Sequence, residues 1–177
     1  LPSTPTFTPS NTSMDLSQLF IAPTWSWRNE GGHAFGISAI LAGQRFKATG
    51  LEEFGVNNAG YDTSVGGGAR LGWTWQASQN LKVGATYQSR LWMTKFDKYA
   101  GLFAEQGGFD IPSNYALGFA YKIDSSLTWA FDVERIHYSE VNSVGNPGVI
   151  VAPFGAANGP GFGWKDVTVI KTGLAYE

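Results

Sequence analysis

The sequence predicts an all-β protein, an antiparallel transmembrane β-barrel. Three observations carry this. Side chains alternate between apolar and polar in segment after segment, the period of a strand with one apolar face. Connections alternate between short ones at 29–32, 78–80 and 124–126 and long ones at about 48–64, 97–110 and 142–163. Aromatic residues gather at both ends of the strands. Short turns on one side, long loops on the other and strands long enough to cross at a tilt are the pattern of an outer-membrane barrel.

The elements follow in order. Leu1–Met14 is a Pro/Ser/Thr segment without periodicity, an arm or loop. Asp15–Arg28 is the first strand, with Leu19, Ile21, Pro23, Trp25 and Trp27 alternating with Gln18, Phe20, Ala22, Thr24, Ser26 and Arg28. Pro23 has no amide hydrogen to give a ladder, which predicts a bulge or kink. Asn29–Gly32 has hairpin-turn chemistry. His33–Lys47 sets Phe35, Ile37, Ala39 and Leu41 against Gly36, Ser38, Ala42 and Gln44, while Ile40 interrupts the polar face. Val65–Ala77 sets Ala69, Leu71, Trp73 and Trp75 against Arg70, Gly72, Thr74 and Gln76. Leu81–Phe96 reads as one very long strand, well past the usual ~5–6 residues. It places Leu81, Val83, Ala85, Tyr87, Leu91 and Met93 on the apolar face and Lys82, Gly84, Thr86, Gln88, Arg90 and Thr94 on the other. Ile111–Ile123 carries Tyr115, Leu117, Phe119 and Tyr121 on its apolar face, and Leu127–Val133 carries Trp129 and Phe131. Trp164–Glu177 is the last strand.

Trp25, Trp27, Trp73, Trp75, Tyr121 and Tyr176 fall near the short-turn ends, and Trp92, Phe96, Tyr138 and Trp164 near the long-loop ends. Two such rings are expected where amphipathic aromatics meet two membrane interfaces.

Composition narrows the reading. The chain has 177 residues and a formal net charge of -2, which argues against a nucleic-acid partner. It has no cysteine, hence no disulfide and no Cys-based metal site. Charged residues are only 15%, low for a water-facing surface. Mean hydropathy is -0.12, with no apolar run of about 18 residues for a spanning helix. A barrel escapes that test because its two faces average out. The start, Leu1–Pro9, lacks an initiator Met, a basic region and an apolar core, and Leu174–Glu177 stops inside an alternating pattern. Both ends are expected to be cuts in a longer protein.

The stretch Met93-Thr-Lys-Phe-Asp-Lys-Tyr-Ala-Gly-Leu-Phe-Ala-Glu-Gln-Gly-Gly-Phe-Asp-Ile-Pro-Ser-Asn114 resembles the long-chain fatty acid transporter family of Gram-negative outer-membrane proteins (FadL/TodX-like). Asp15–Pro23, Gly159–Asp166 and Gly173–Tyr176 add to the resemblance, which runs over nearly the whole chain. It implies a fourteen-stranded up-and-down barrel plugged by an N-terminal hatch. Loops capture hydrophobic molecules, which pass to a site in the barrel and leave through a wall opening. Residues 1–177 supply about seven strands, so a partial barrel without the hatch and the remaining strands is expected. The implied partners are fatty acids or hydrocarbons, and outer-membrane lipid or lipopolysaccharide. No cofactor and no protein partner is expected.

Alternation places Arg70, Lys82, Gln88, Arg90, Asp132, Glu134 and Lys171 on the inner face. Arg70, Arg90 and Lys171 are candidate partners for a ligand carboxylate. For any single one of them the favoured reading is plainer: lumen charges of both signs pair with one another or with the hatch. Arg90 is the leading candidate, lying toward the loops beside Trp92. The segment Lys98–Glu105 reads as a short helix offering Leu102 and Phe103 to an apolar ligand, or as a loop packed on its neighbours. Gly155–Gly163, with Phe154 and Phe162, is a second apolar capture surface.

Enzyme signatures fail. Gly66–Gly68 with Gly72 lacks dinucleotide spacing, no Gly-x-Ser-x-Gly elbow occurs, and Asp132 and Glu134 are neighbouring lumen charges with no cleft evident. The expected activity is passive uptake of hydrophobic compounds. The alternative is a β module without transport, either a structural or adhesive barrel fragment or a β-sandwich that buries Leu117, Phe119, Trp129 and Phe131 against a second sheet.

Overall fold

In a computed structural model describing residues 12–52, 58–149 and 152–176, nine strands pair into one antiparallel sheet. They are β1 (Ser13–Ile21), β2 (Thr24–Arg28), β3 (His33–Thr49), β4 (Asp62–Gln76), β5 (Leu81–Gln88), β6 (Trp92–Met93), β7 (Asn114–Lys122), β8 (Leu127–Ile136) and β9 (Val167–Tyr176). Two of the wall's strands are each made in two pieces, β1 with β2 and β5 with β6. The result is seven strands curling through 243° as part of a barrel. Because all described strands share one sheet, the sandwich alternative is set aside. Residues 1–11, most of the expected arm, lie outside the described residues.

Each strand pairs with its neighbour in sequence, so turns of a few residues suffice on one side. Asp124 Oδ1 accepts the amides of Ser126 and Leu127 at 2.7 and 2.9 Å, an Asx turn. Ser78 Oγ accepts those of Asn80 and Leu81 at 3.2 and 3.1 Å. At Pro23 the strand is interrupted, but its register on β3 is not. Ile21 faces Leu41 and Thr24 faces Ser38, with no extra residue between. Of the two expected outcomes, the kink is what occurs. Ala39 still donates its amide to the Pro23 carbonyl at 3.2 Å.

The long strand expected at Leu81–Phe96 differs. Along β4, Arg70 faces Gln88 but Gly67 faces Trp92, so two residues oppose three. Ser89-Arg90-Leu91 is therefore a bulge with one extra residue, and one extra residue turns every later side chain to the other face. Leu91 and Met93, expected outside, point inward. Leu91 is 0% exposed and packs with Ile40, Ala42 and Met93. Trp92 is turned outward instead, 62% exposed. Glycine makes the crossing feasible, since a Cβ on Gly66 would collide with the Trp92 carbonyl. Ile111, opposite Leu91, also turns inward.

The convex face carries Ile37, Leu41, Leu71, Leu117, Ile170 and Leu174, all exposed. A continuous exposed apolar wall of this size marks a surface that a membrane or a partner covers. The turn-end aromatics stack on this face: Trp27 on Phe35, and His33 on Trp73 and Trp75. The loop-end ring is composed differently from the sequence expectation. Tyr87, Trp92 and Tyr115 face outward, whereas Phe96 is buried and Tyr138 and Trp164 lie on the concave side. The cause is that the long loops fold into the barrel.

The concave face has two halves. Toward the turns it is floored by small residues such as Gly36, Gly72, Gly84, Ala116, Gly118 and Ala130. Toward the loops it carries bulk. Phe46 on β3 meets Phe96, Tyr99 and Phe103 from the loop after β6, with ring centroids 4.8 to 5.9 Å apart. Tyr99 is fully buried, accepting the Ala48 amide at 3.0 Å and donating to the Gly60 carbonyl at 2.6 Å.

Candidate functional site

Strand parity brings Met14, Leu16 and Gln18 of β1, Phe46 of β3, Asn114 of β7 and Ile136 of β8 onto the concave face at its loop end. They floor a cavity of about 450 Å³. The inward loops supply its roof: Phe109, Ile111 and Pro112 from one, Tyr138, Val144, Phe162 and Trp164 from the other. The volume is that of a small-molecule site, for which ~300–1,000 Å³ is typical.

The roof is held by polar bonds directed away from the cavity. Gln44 Nε2 donates to the Phe109 carbonyl at 2.7 Å, and Gln18 Nε2 donates to Gln44 Oε1 at 3.0 Å. The short helix Asn142–Gly145 accepts the Phe162 and Trp164 amides through the Ser143 and Val144 carbonyls at 3.3 and 3.0 Å. The aromatic walls meet edge-on, Phe109 against Phe162 at 6.4 Å and Tyr138 against Trp164 at 5.2 Å, both near perpendicular. Glu105 and Gln106 hold left-handed backbone at φ 58° and 59°, a sparsely populated region for such residues. Asn142 Nδ2 on Glu105 Oε1 at 2.8 Å and the Gln106 amide on the Gly155 carbonyl at 2.8 Å keep this turn in place. Gly107 follows at φ 97°, where a Cβ would strike the Phe96 carbonyl.

Among the described residues that line the cavity only Tyr138 is ionisable. The sequence-derived candidates sit elsewhere. Arg90 Nε bonds Asp110 Oδ2 at 2.7 Å and its Nη1 bonds the Glu140 carbonyl at 2.7 Å, so the leading candidate cation ties the two loops to the wall. Trp92 faces outward because of the bulge. Phe103, expected to be open to ligand, is 3% exposed inside the ring cluster, and Leu102 packs against that cluster. The loop-packing alternative is the one realised there, and the short helix at Lys98–Glu105 is a 3-10 turn at Asp97–Tyr99 instead. Lys171 is paired with Glu134 at 2.9 Å. Arg70 lies on the concave face with its Nη2 on Gln88 Oε1 at 2.5 Å, and among the described residues it has no carboxylate partner. Phe162 lines the cavity and Phe154 does not.

Leu16, Phe46 and Ile136 went unnoticed in the sequence, although a signal existed. Each is a large apolar side chain at a position where parity calls for a polar one, the same irregularity seen at Ile40. Outside the strands, Asp166 Oδ1 accepts the Ser139 hydroxyl and amide at 2.6 and 3.0 Å. These bonds, the hydroxyl first, hold its carboxyl below the usual carboxylate range, with nearby Arg135 adding a smaller effect in the same direction.

The described residues form an up-and-down barrel wall whose loops fold inward over an apolar cavity. Solved structures of transporters and channels share this fold. The chain superposes on the toluene transporter TodX of Pseudomonas putida with TM-score 0.66 at 17% identity, over 93% of this chain and 52% of that one. For the toluene transporter TbuX of Ralstonia pickettii the figures are 0.67 and 14%, over 97% and 57%. For a FadL homologue of Pseudomonas aeruginosa they are 0.66 and 11%, over 93% and 47%. The chain has the FadL/TodX-like fold and spans about half the length of these proteins. No protein-family model and no curated protein matches it.

Proposed function

We propose that this chain is part of an outer-membrane channel through which hydrophobic compounds pass by diffusion, and that the cavity under the loops is a station for small neutral molecules, monoaromatic hydrocarbons above all. One observation carries the reading: a cavity of about 450 Å³ walled by Phe109, Tyr138, Phe162 and Trp164 with no cation among its described lining residues. A fatty-acid carboxylate placed there would exchange hydration for neutral donors alone, the Asn114 amide and the Tyr138 hydroxyl, with no cation among the described lining residues to pair with. A neutral ring loses nothing of the kind and gains edge-to-face contacts. Toluene transporters among the similar structures support the same substrate class, and residues 1–177 then form one part of the barrel wall. No covalent chemistry is needed.

The test is uptake by cells that depend on this protein for growth on toluene or on a long-chain fatty acid. Leu16→Lys puts a hydrated charge on the apolar cavity floor, where Leu16 is 44% exposed, and should cut toluene uptake severalfold, since a neutral ring gains no contact from displacing that hydration. Uptake of fatty acid but not toluene by the unaltered protein would overturn the substrate class while leaving the channel standing.

A further inference from the structure

On the outside of the barrel, where the apolar wall ends, β1, β3 and the start of β4 carry a polar corner. Asp15 faces Lys47, and Ser17 faces Arg45, which faces Thr63. Tyr61 lies flat beneath both cations, 4.2 Å from the Arg45 guanidinium carbon and 5.3 Å from Lys47 Nζ. The ring is fixed from two sides. Its hydroxyl donates to Asp15 Oδ2 at 2.7 Å, and Lys98 Nζ bonds its carbonyl at 2.7 Å. The Asp15 oxygens take the Tyr61 and Ser17 hydroxyls, and its charge offsets part of that of Arg45 and Lys47 beside it, but among the described residues neither cation is in ion-pair contact with a carboxylate. Arg135, also at the loop end of the convex face, is paired with Asp166 at 3.5 Å.

Directly below the two cations the wall changes character within one row. Leu19 faces Gly43, which faces Val65, and Ile21 faces Leu41, which faces Gly67. Leu19, Leu41 and Val65 are exposed, and a Cβ on Gly43 would meet nothing within 4 Å, so an open notch runs between Leu19 and Val65. The uncharged convex face of β3 from Phe35 to Gly43, at about 3.3 Å per residue and a tilt of about 40°, covers roughly 20–23 Å, close to the ~25 Å apolar band of such barrels. The cations therefore stand at headgroup height on the long-loop side, which in an outer membrane faces outward.

We propose that Arg45, Lys47 and Tyr61 form a binding site for a phosphate group of lipopolysaccharide in the outer leaflet, with one acyl chain seated in the notch at Gly43. The site rests on the outer-membrane reading above. Two cations prearranged on a ring, with Asp15 the one carboxylate beside them among the described residues, leave a net positive charge that offers charge-assisted bonds to a phosphate, and an acyl chain covers the apolar wall beneath.

The experiment is lipid retention. The protein is folded into phosphatidylcholine vesicles containing diphosphoryl lipid A, dephosphorylated lipid A or phosphatidylglycerol, extracted in mild detergent, and weighed with its bound lipid by native mass spectrometry. The expected result is retention of diphosphoryl lipid A alone. Retention should fall roughly tenfold or more in Arg45→Ala/Lys47→Ala, fall in Gly43→Leu, which fills the notch without touching charge, and stay unchanged in Arg135→Ala. Undiminished retention in the double variant, or equal retention of phosphatidylglycerol, overturns the site. Heat-modifiable migration separates the two readings. A protein that inserts but retains no lipid A refutes this site alone, whereas one that never inserts refutes the barrel and the site with it.

Discussion

The turn-end and loop-end halves of this wall obey different rules. In the turn-end half every register is unbroken from β2 to β9, one face is apolar and exposed, and the other is small or charged. Stability there comes from ladders and cross-strand pairs such as Phe119 against Phe131 at 5.7 Å. In the loop-end half a bulge and two infolded loops build a small aromatic core of their own, with Phe96 and Tyr99 fully buried. One half leaves its apolar face open on the convex side, and the other fills its concave side with its own loops. A barrel wall thus acquires a cavity without altering the strands beneath it.

The contrast predicts how the halves fail. Phe103→Ala removes a buried ring from the loop core and should cost about 3–5 kcal/mol locally. Limited proteolysis should then cut within 94–110 while the strands of the turn-end half stay protected; simultaneous loss of both halves would erase the distinction. Phe119→Lys places a charge on the lipid face of β7 and should cost about 2–4 kcal/mol of membrane folding if it lies near mid-bilayer. Urea titration in vesicles reads it, and an unchanged midpoint would count against lipid contact. Arg90→Ala leaves Asp110 without its cation and should loosen the loops by about 1.5–3 kcal/mol, visible as faster amide exchange in 104–113 with β7 unaffected.

The smallest effect is one of pH. The Asp166 carboxyl is held below its usual range by Ser139, so its contribution is fully present above the unfolded value of 3.8 and is lost as pH falls through the lower folded value. Amide exchange at Ser139 should therefore rise only below about pH 4. A rise already at pH 6 would point to another group.

The same contrast explains what could be read in the sequence. The turn-end half was legible because alternation, short turns and belts of Trp and Tyr are local signals: Trp73, Trp75, Leu117 and Tyr121 lie on the face that parity gives them. The seven-strand count survived even where strands broke, since Pro23 kinks its strand without shifting it. The loop-end half was less legible, because whether a loop folds inward depends on what it meets there. Nothing near Phe103 in sequence reveals Phe46, and nothing near Trp164 reveals Tyr138. Arg90 is the leading ligand candidate of the sequence, with charge pairing as the favoured alternative, and in the structure it is paired with Asp110 and bonded to the Glu140 carbonyl.

Arg90 has one more consequence. Along a strand, inside and outside are written in a two-letter phase, and the bulge is a frameshift in it. Deleting Arg90 would therefore remove the frameshift together with the cation. Ser89 would oppose Ala69, Leu91 would oppose Gly68 and Trp92 would keep Gly67, so Leu91 and Met93 stay inside, Trp92 stays outside, and the strand from Leu81 to Met93 becomes one unbroken alternation. The extra codon joins two phases of one strand without moving the residues on either side of it.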